Sequence, residues 1–313
     1  MANTFPEAFQ REYKDSVYTL VKAMGNKFAG KTDEITFSGE TVFLETMGNV
    51  SATTAPQGVG TATPLMEPAH SQRAISQVDH DIGLMIGKLD AAKTNVSFES
   101  RYVKQIVKAL MRKRDIQVIK GALGTAITGK DLAGTAPFDF ANQTIAVATG
   151  AGGATGMNVA KLRAIKAKFW ANGYNDEKIY LALSGKQKAD LLGELEIGSA
   201  DYNTVKTNAE GDVIAFMGIE FVSTEYVPYI LDAGGFNLNW DANDNPIDVD
   251  VNSTRACFSW VEPAITVGRN PNMITRVSER DDLRYNFQAY GWEGCGAVRM
   301  EEAGVIAVPC LEV

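Results

Sequence analysis

A chain of 313 residues, 45% of them apolar and 22% charged, is long enough for one elaborated domain or two lobes and apolar enough to bury a real core, which excludes wholesale disorder. The net charge of -8 excludes binding of nucleic acid through the whole surface, though not through one basic face on an acidic body. With two histidines and three cysteines, His-based acid–base chemistry and multi-His metal sites have little material. Cys257, Cys295 and Cys310 form no closely spaced pair, so buried free thiols are expected rather than a disulfide framework. Charges sit in the first residues where a signal peptide needs an apolar core, and no apolar run approaches the roughly 18 residues of a membrane span.

In chain order, Phe9, Tyr13, Val17, Leu20, Val21 and Met24 recur at three- and four-residue spacing, which predicts an amphipathic helix stopped at Gly25. Residues 31–88 change to β texture: one arm over residues 35–46, a return arm over 74–86, and between them a Thr/Ala/Gly/Pro stretch with little to bury. This reads as a long projecting hairpin, with a disordered insert as the alternative.

Residues 97–123 carry the strongest helical signal. Val103, Ile106, Val107, Leu110 and Met111 share one face, and Arg101, Lys104, Lys108 and Arg112 share another. At about 100° per residue the four cations span an arc of roughly 80° and the five apolar side chains an opposite arc of roughly 140°. Such a cationic face can neutralise phosphates or remain a solvated or ion-paired face.

Next come a Gly-rich loop, TGAGGATG, a helix carrying Val159, Leu162, Ile165 and Phe169 and closed at Asn172 and Gly173, and a short apolar strand at 178–183. Ser184 and Gln187 have capping-box spacing for a helix through Leu195. Strands are expected on either side of Gly218, at 256–261 and at 304–308. MITRV and the alternating run from Leu283 to Tyr290 should form a hairpin with SERDD at its tip.

Two apparent motifs fail on their own residues. Gly150 and Gly152 open a dinucleotide fingerprint, but Thr155 stands where the third glycine belongs, so the loop reads as a flexible connection. Asp241, Asn243 and Asn245 have calcium-loop spacing, but Pro246 replaces the turn glycine and Asn252 the bidentate glutamate.

The order of elements, with the run from Arg73 through Asp90 to RKRDIQVIKGALG, the stretch GDVIAFMGIEFVST, and the tail from TVGRNPNMITRV to GVIAV, resembles the major capsid protein of tailed bacteriophages, the Hong Kong 97 type. The resemblance implies an α+β fold with an N-terminal arm (1–30), an extended loop (31–90), a peripheral domain with the spine helix (91–145), an axial domain (146–265) and return strands (266–313). It implies a structural, non-enzymatic virion protein without cofactor or metal, assembled in the host cytoplasm as pentamers and hexamers of an icosahedral shell. A separately encoded scaffolding protein, a portal protein and a cement or decoration protein are the implied partners. Non-specific contact with packaged double-stranded DNA would fall to Arg101, Lys104, Lys108 and Arg112. No lysine lies between Lys31 and Lys88, so the covalent cross-linking known in one member is not expected. An encapsulin-like compartment shell and a soluble α/β enzyme remain the alternatives.

Overall fold

The computed structural model describes residues 26–47, 70–86, 98–129, 131–194, 206–207, 213–231, 235–248, 253–271 and 273–312, with 52, 54, 65, 67 and 68 besides. The expected helix over residues 9–24 and most of the stretch between the hairpin arms lie outside the described residues.

One sheet is built on the 14-residue strand β16 (Asn286–Arg299). Strand β4 (Val78–Ile86) runs along one edge of it, and β15 (Ile274–Arg280) and β14 (Ile265–Arg269) share the other. Parallel to β14 lies β1 (Asp33–Thr36). A second sheet joins β2 (Thr41–Met47), β3 (His70–Ser76), β5 (Ala126–Thr128) and β6 (Gly134–Ala136). A third centres on β7 (Ile179–Leu183), parallel to β10 (Ile219–Ser223) and antiparallel to β13 (Thr254–Val261), which also pairs with β17 (Val305–Leu311). Short strands β8 (Lys206–Thr207), β9 (Val213–Phe216), β11 (Tyr229–Ile230) and β12 (Phe236–Asn237) extend it.

The long helix α1 (Phe98–Leu123) forms where the apolar period predicts it. Its five apolar residues from Val103 to Met111 are all buried, against Val277 and Ala289 and the partly buried Ile82, Leu84 and Met273. Burying each such side chain is worth about 1.5–3 kcal/mol, so this face fixes the helix on the β16 sheet. The approach is close because glycines stand at two contacts. A Cβ on Gly291 would meet Ile106 at 2.7 Å, and one on Gly121 would meet Ala297 at 2.6 Å. The last turns, with Val118, Ile119, Ala122 and Leu123, leave this contact and enter the main core.

A buried ion pair between Arg114 and Glu293 ties α1 to β16. At the helix end the fully buried Arg299 donates to the carbonyls of Ala122 (2.7 Å) and Gly124 (2.9 Å), a cation placed where the helix leaves unpaired carbonyls. Glu302 supplies its counter-charge at 2.5 Å.

Every residue of β7 is buried, as its unbroken apolar run requires. Helices α2 (Val159–Ala171) and α3 (Gly185–Gly193) follow the expected periods. Only half of the capping box at Ser184 forms: its hydroxyl accepts the Gln187 N–H, while the Gln187 side chain instead joins Met157 N–H (2.8 Å) to the Leu311 carbonyl (3.0 Å). The Gly-rich loop is held by Thr155 N–H to the Val147 carbonyl and by Leu311 N–H to the Thr155 carbonyl rather than hanging as a free connection.

Two hairpins differ from expectation in detail. The arms around the Thr/Ala/Gly/Pro stretch do not pair along their whole length. Thr41 to Met47 pairs with Ser76 to His70, after which the return arm crosses at Gln77 into the β16 sheet as β4. In the C-terminal hairpin Leu283, Arg284 and Tyr285 belong to the turn, not to the alternating strand. Arg284 and Tyr285 take left-handed φ values of 55° and 56°, and β16 begins at Asn286.

Candidate nucleic-acid interface and shell contacts

The face of α1 opposite its buried side is wet. Lys104 and Lys108 are exposed and have no ion-pair partner among the described residues. The Arg101 side chain lies outside them. Arg112 lies on the same face but is not free: its Nε stands 3.6 Å from Asp244, whose other carboxylate oxygen accepts from Lys113 Nζ. The helix thus presents two open cations followed by two held by one acid, a pairing across 131 residues that helical spacing does not reveal.

Asp244 sits on the turn that had calcium-loop spacing. There Asp241 Oδ1 accepts the N–H groups of Asn243 (2.8 Å) and Asn245 (2.7 Å), and its Oδ2 accepts the Asn245 amide (3.3 Å). Asp241 thus ties the turn together through the backbone and side chains of its own loop. No group of three or more His, Cys, Asp or Glu able to hold a metal ion occurs among the described residues.

Between α1 and β4 lies a cleft of about 400 Å³ lined by Asp79, His80, Asp81, Arg112, Lys113 and Asp244. His80 meets Gln117 at 3.1 Å. Burial first, then the charges of Lys113 and Lys120, hold its pKa below the ordinary value, so it stands neutral rather than as a third cation. One turn further, Asp115 is buried and accepts the Lys27 N–H at 3.0 Å, and burial pushes its carboxyl up to about 6. The hydrogen bond anchors the chain just before Phe28, whose ring packs among Phe258 and Trp260.

No phosphate site exists at the N-terminus of α2. Asn158 accepts the Lys161 N–H at 2.8 Å and Glu194 accepts the Val159 N–H at 2.9 Å, so a carboxylate already occupies the place an anion would take. All three cysteines are buried and free, as expected, and burial pushes the Cys295 thiol up to about 12. Among the described residues no helix is long and apolar enough to cross a membrane.

The second surface of interest is the β2–β3 hairpin. Phe43 and Met47 lie on its outward face, 44% and 64% exposed, apolar side chains left open among the described residues. Sequence reading gave the hairpin but not these contacts, since alternation along β2 becomes visible only once the register is known.

The fold recurs in solved phage capsids. The capsid of cyanophage P-SCSP1u superposes with a TM-score of 0.63 at 14% identity, covering 92% of this chain and 89% of that one. The cyanophage Pam1 capsid gives 0.63 at 12% identity (91% and 92%), and that of Helicobacter pylori bacteriophage KHP30 gives 0.59 at 10% (89% and 87%). No curated protein matches the chain. The sequence profile described as phage capsid protein matches residues 5–312. The chain therefore belongs to the phage capsid protein family and is a structural, non-enzymatic subunit of a multi-copy virion shell.

Proposed function

We propose that copies of this chain close, as pentamers and hexamers, the icosahedral head of a tailed phage around double-stranded DNA, with the α1 face bearing Arg101, Lys104, Lys108 and Arg112 turned toward the genome. The observation that carries this reading is the two-sidedness of α1: one face sealed on the β16 sheet, the other exposing Lys104 and Lys108 without ion-pair partners among the described residues. An acidic chain that keeps such cations open favours a polyanion on that side. The β2–β3 hairpin supports the shell half of the reading, because Phe43 and Met47 need cover that another copy supplies.

The division into arm (1–30), extended loop (31–90), peripheral domain (91–145), axial domain (146–265) and return strands (266–313) belongs to the same proposal. So do assembly in the host cytoplasm, a separate scaffolding protein, a portal and a cement or decoration protein. Function is then mechanical: many weak interfaces close a shell, and no bond is made or broken.

The test replaces Arg101, Lys104 and Lys108 by Glu in infectious particles. Shells should still form, because the described cations lie away from the packed face, and genome retention should weaken with a changed salt dependence. Unchanged retention at every salt concentration would refute the DNA-facing role, and particles filled with protein cargo in place of DNA would refute the head itself.

A further inference from the structure

We propose that the turn over residues 241–248 is a carboxylate clamp that withholds Arg112, at the end of the basic face, and its neighbour Lys113, on the adjoining flank of α1, from nucleic acid, so that α1 engages phosphate in two grades. Lys104 and Lys108 are available at once, and Arg112 with Lys113 become available only when Asp244 releases them. This inference rests on the DNA-facing reading of α1 and adds its regulation.

The clamp is built rather than incidental. Asp241 organises the turn through three hydrogen bonds, and Asp244 N–H closes it on the Asp241 carbonyl at 3.1 Å. Trp240 bridges to Pro246 across its base. The Trp240 indole N–H fastens to the Tyr226 carbonyl at 3.1 Å, and Asn237 to the Ile247 carbonyl at 2.7 Å. On this frame Asp244 adopts a φ of 66°, a left-handed conformation that Asp and Asn tolerate better than most residues. Its side chain is almost wholly covered, while the Arg112 and Lys113 side chains that it meets remain 44% and 43% exposed.

That asymmetry gives the clamp its reversibility. The acid is held in place by its turn, while the cations keep 44% and 43% of their side chains in water, where phosphates can reach them. Their release leaves the covered Asp244 carboxylate without its counter-charges, so the hold exceeds that of an exposed pair, about 0–1 kcal/mol, and yields only where phosphates offset it. The nearby groups do not substitute for Asp244: His80 is held neutral, and among the described residues Asp79 and Asp81 line the cleft without forming an ion pair with either cation. One carboxylate governs two cations, so its release doubles the open charge contributed by Lys104 and Lys108.

The test measures binding of the full-length chain, kept below its assembly concentration, to a short mixed-sequence double-stranded DNA across a salt series. Each phosphate contact steepens the log–log salt dependence by about 0.9, so Asp244→Asn should steepen it by up to about 1.8 and enlarge the affinity loss between 50 and 200 mM salt by up to about 12-fold. Asparagine keeps the left-handed turn while removing the charge. Adding Arg112→Gln and Lys113→Gln to Asp244→Asn should cancel the gain. The clamp is refuted if Asp244→Asn binds as the parent does, or if its gain survives in the triple variant, which would assign it to net charge alone. Lys104→Glu with Lys108→Glu is the separate control. If that pair weakens binding while Asp244→Asn changes nothing, the clamp alone fails. If that pair leaves binding unchanged, the DNA-facing reading fails.

Discussion

Gly121 shows how closely α1 must lie on β16, and replacing it sets two effects against each other. On an isolated helix Gly→Ala is stabilising by about 1 kcal/mol, because alanine loses less backbone freedom on folding. Here the added Cβ would stand 2.6 Å from both the carbonyl carbon and the Cβ of Ala297 and 2.7 Å from its carbonyl oxygen. Two of those atoms are backbone, so no rotamer change relieves the contact and the helix must lift from the strand. Overpacking of this kind costs about 1–3 kcal/mol, and a backbone contact belongs at the upper end, which leaves a net loss of about 2 kcal/mol after the propensity gain. Denaturant unfolding of the unassembled chain, followed by tryptophan fluorescence, measures it. Adding Ala297→Gly removes one of the three contacts and should restore part of the loss but not all. A Gly121→Ala chain as stable as the parent, or more so, would refute the close approach of α1 to β16.

Phe43→Glu with Met47→Glu should leave the folding of the chain unchanged, since both side chains are exposed, and should abolish closed particles; normal particle yield by electron microscopy would remove the hairpin from the interface. Asp115 predicts a pH dependence. Its folded pKa of about 6 lies above the ordinary carboxylate value, so the folded chain holds an extra proton between pH 4 and 6, and stability falls as pH rises through that window. Asp115→Asn should match the parent near pH 4 and exceed it at pH 8 by on the order of 3 kcal/mol at most, read from unfolding midpoints at the two pH values. An Asn variant less stable than the parent at pH 8 would show that the carboxylate charge is satisfied.

What was legible in the sequence follows from the range of the interactions involved. Helix α1 emerges within one residue of its expected start because a long amphipathic period is a local signal that packing on the β16 sheet reinforces. The β9–β10 hairpin was marked by Gly218, although its partner in the turn, Met217, also takes a left-handed φ of 53° that its residue type does not announce. Pairing partners were not legible. Nothing around Gln77 tells that the chain changes sheets there, because β3 and β4 read as one continuous strand until β2 and β16 claim them separately. Strands β5 and β6, three residues each, carry too few side chains for a period.

Buried charges are illegible for the same reason. Lys161 and Arg299 are both fully buried, Lys161 on the carbonyls of Thr155 and Pro309 and Arg299 on the end of α1, and no local pattern marks either. Of the basic face, Lys104 and Lys108 are open as the helical spacing suggests, whereas Arg112 meets an acid from a distant turn.

Cryo-electron microscopy of particles purified from lysate tests the central claim most directly. The account predicts closed icosahedral shells around DNA, with Lys104 and Lys108 of α1 facing the lumen and Phe43 and Met47 covered by a neighbouring copy. A discrete monomer or dimer, or a shell whose α1 face points outward, would contradict it.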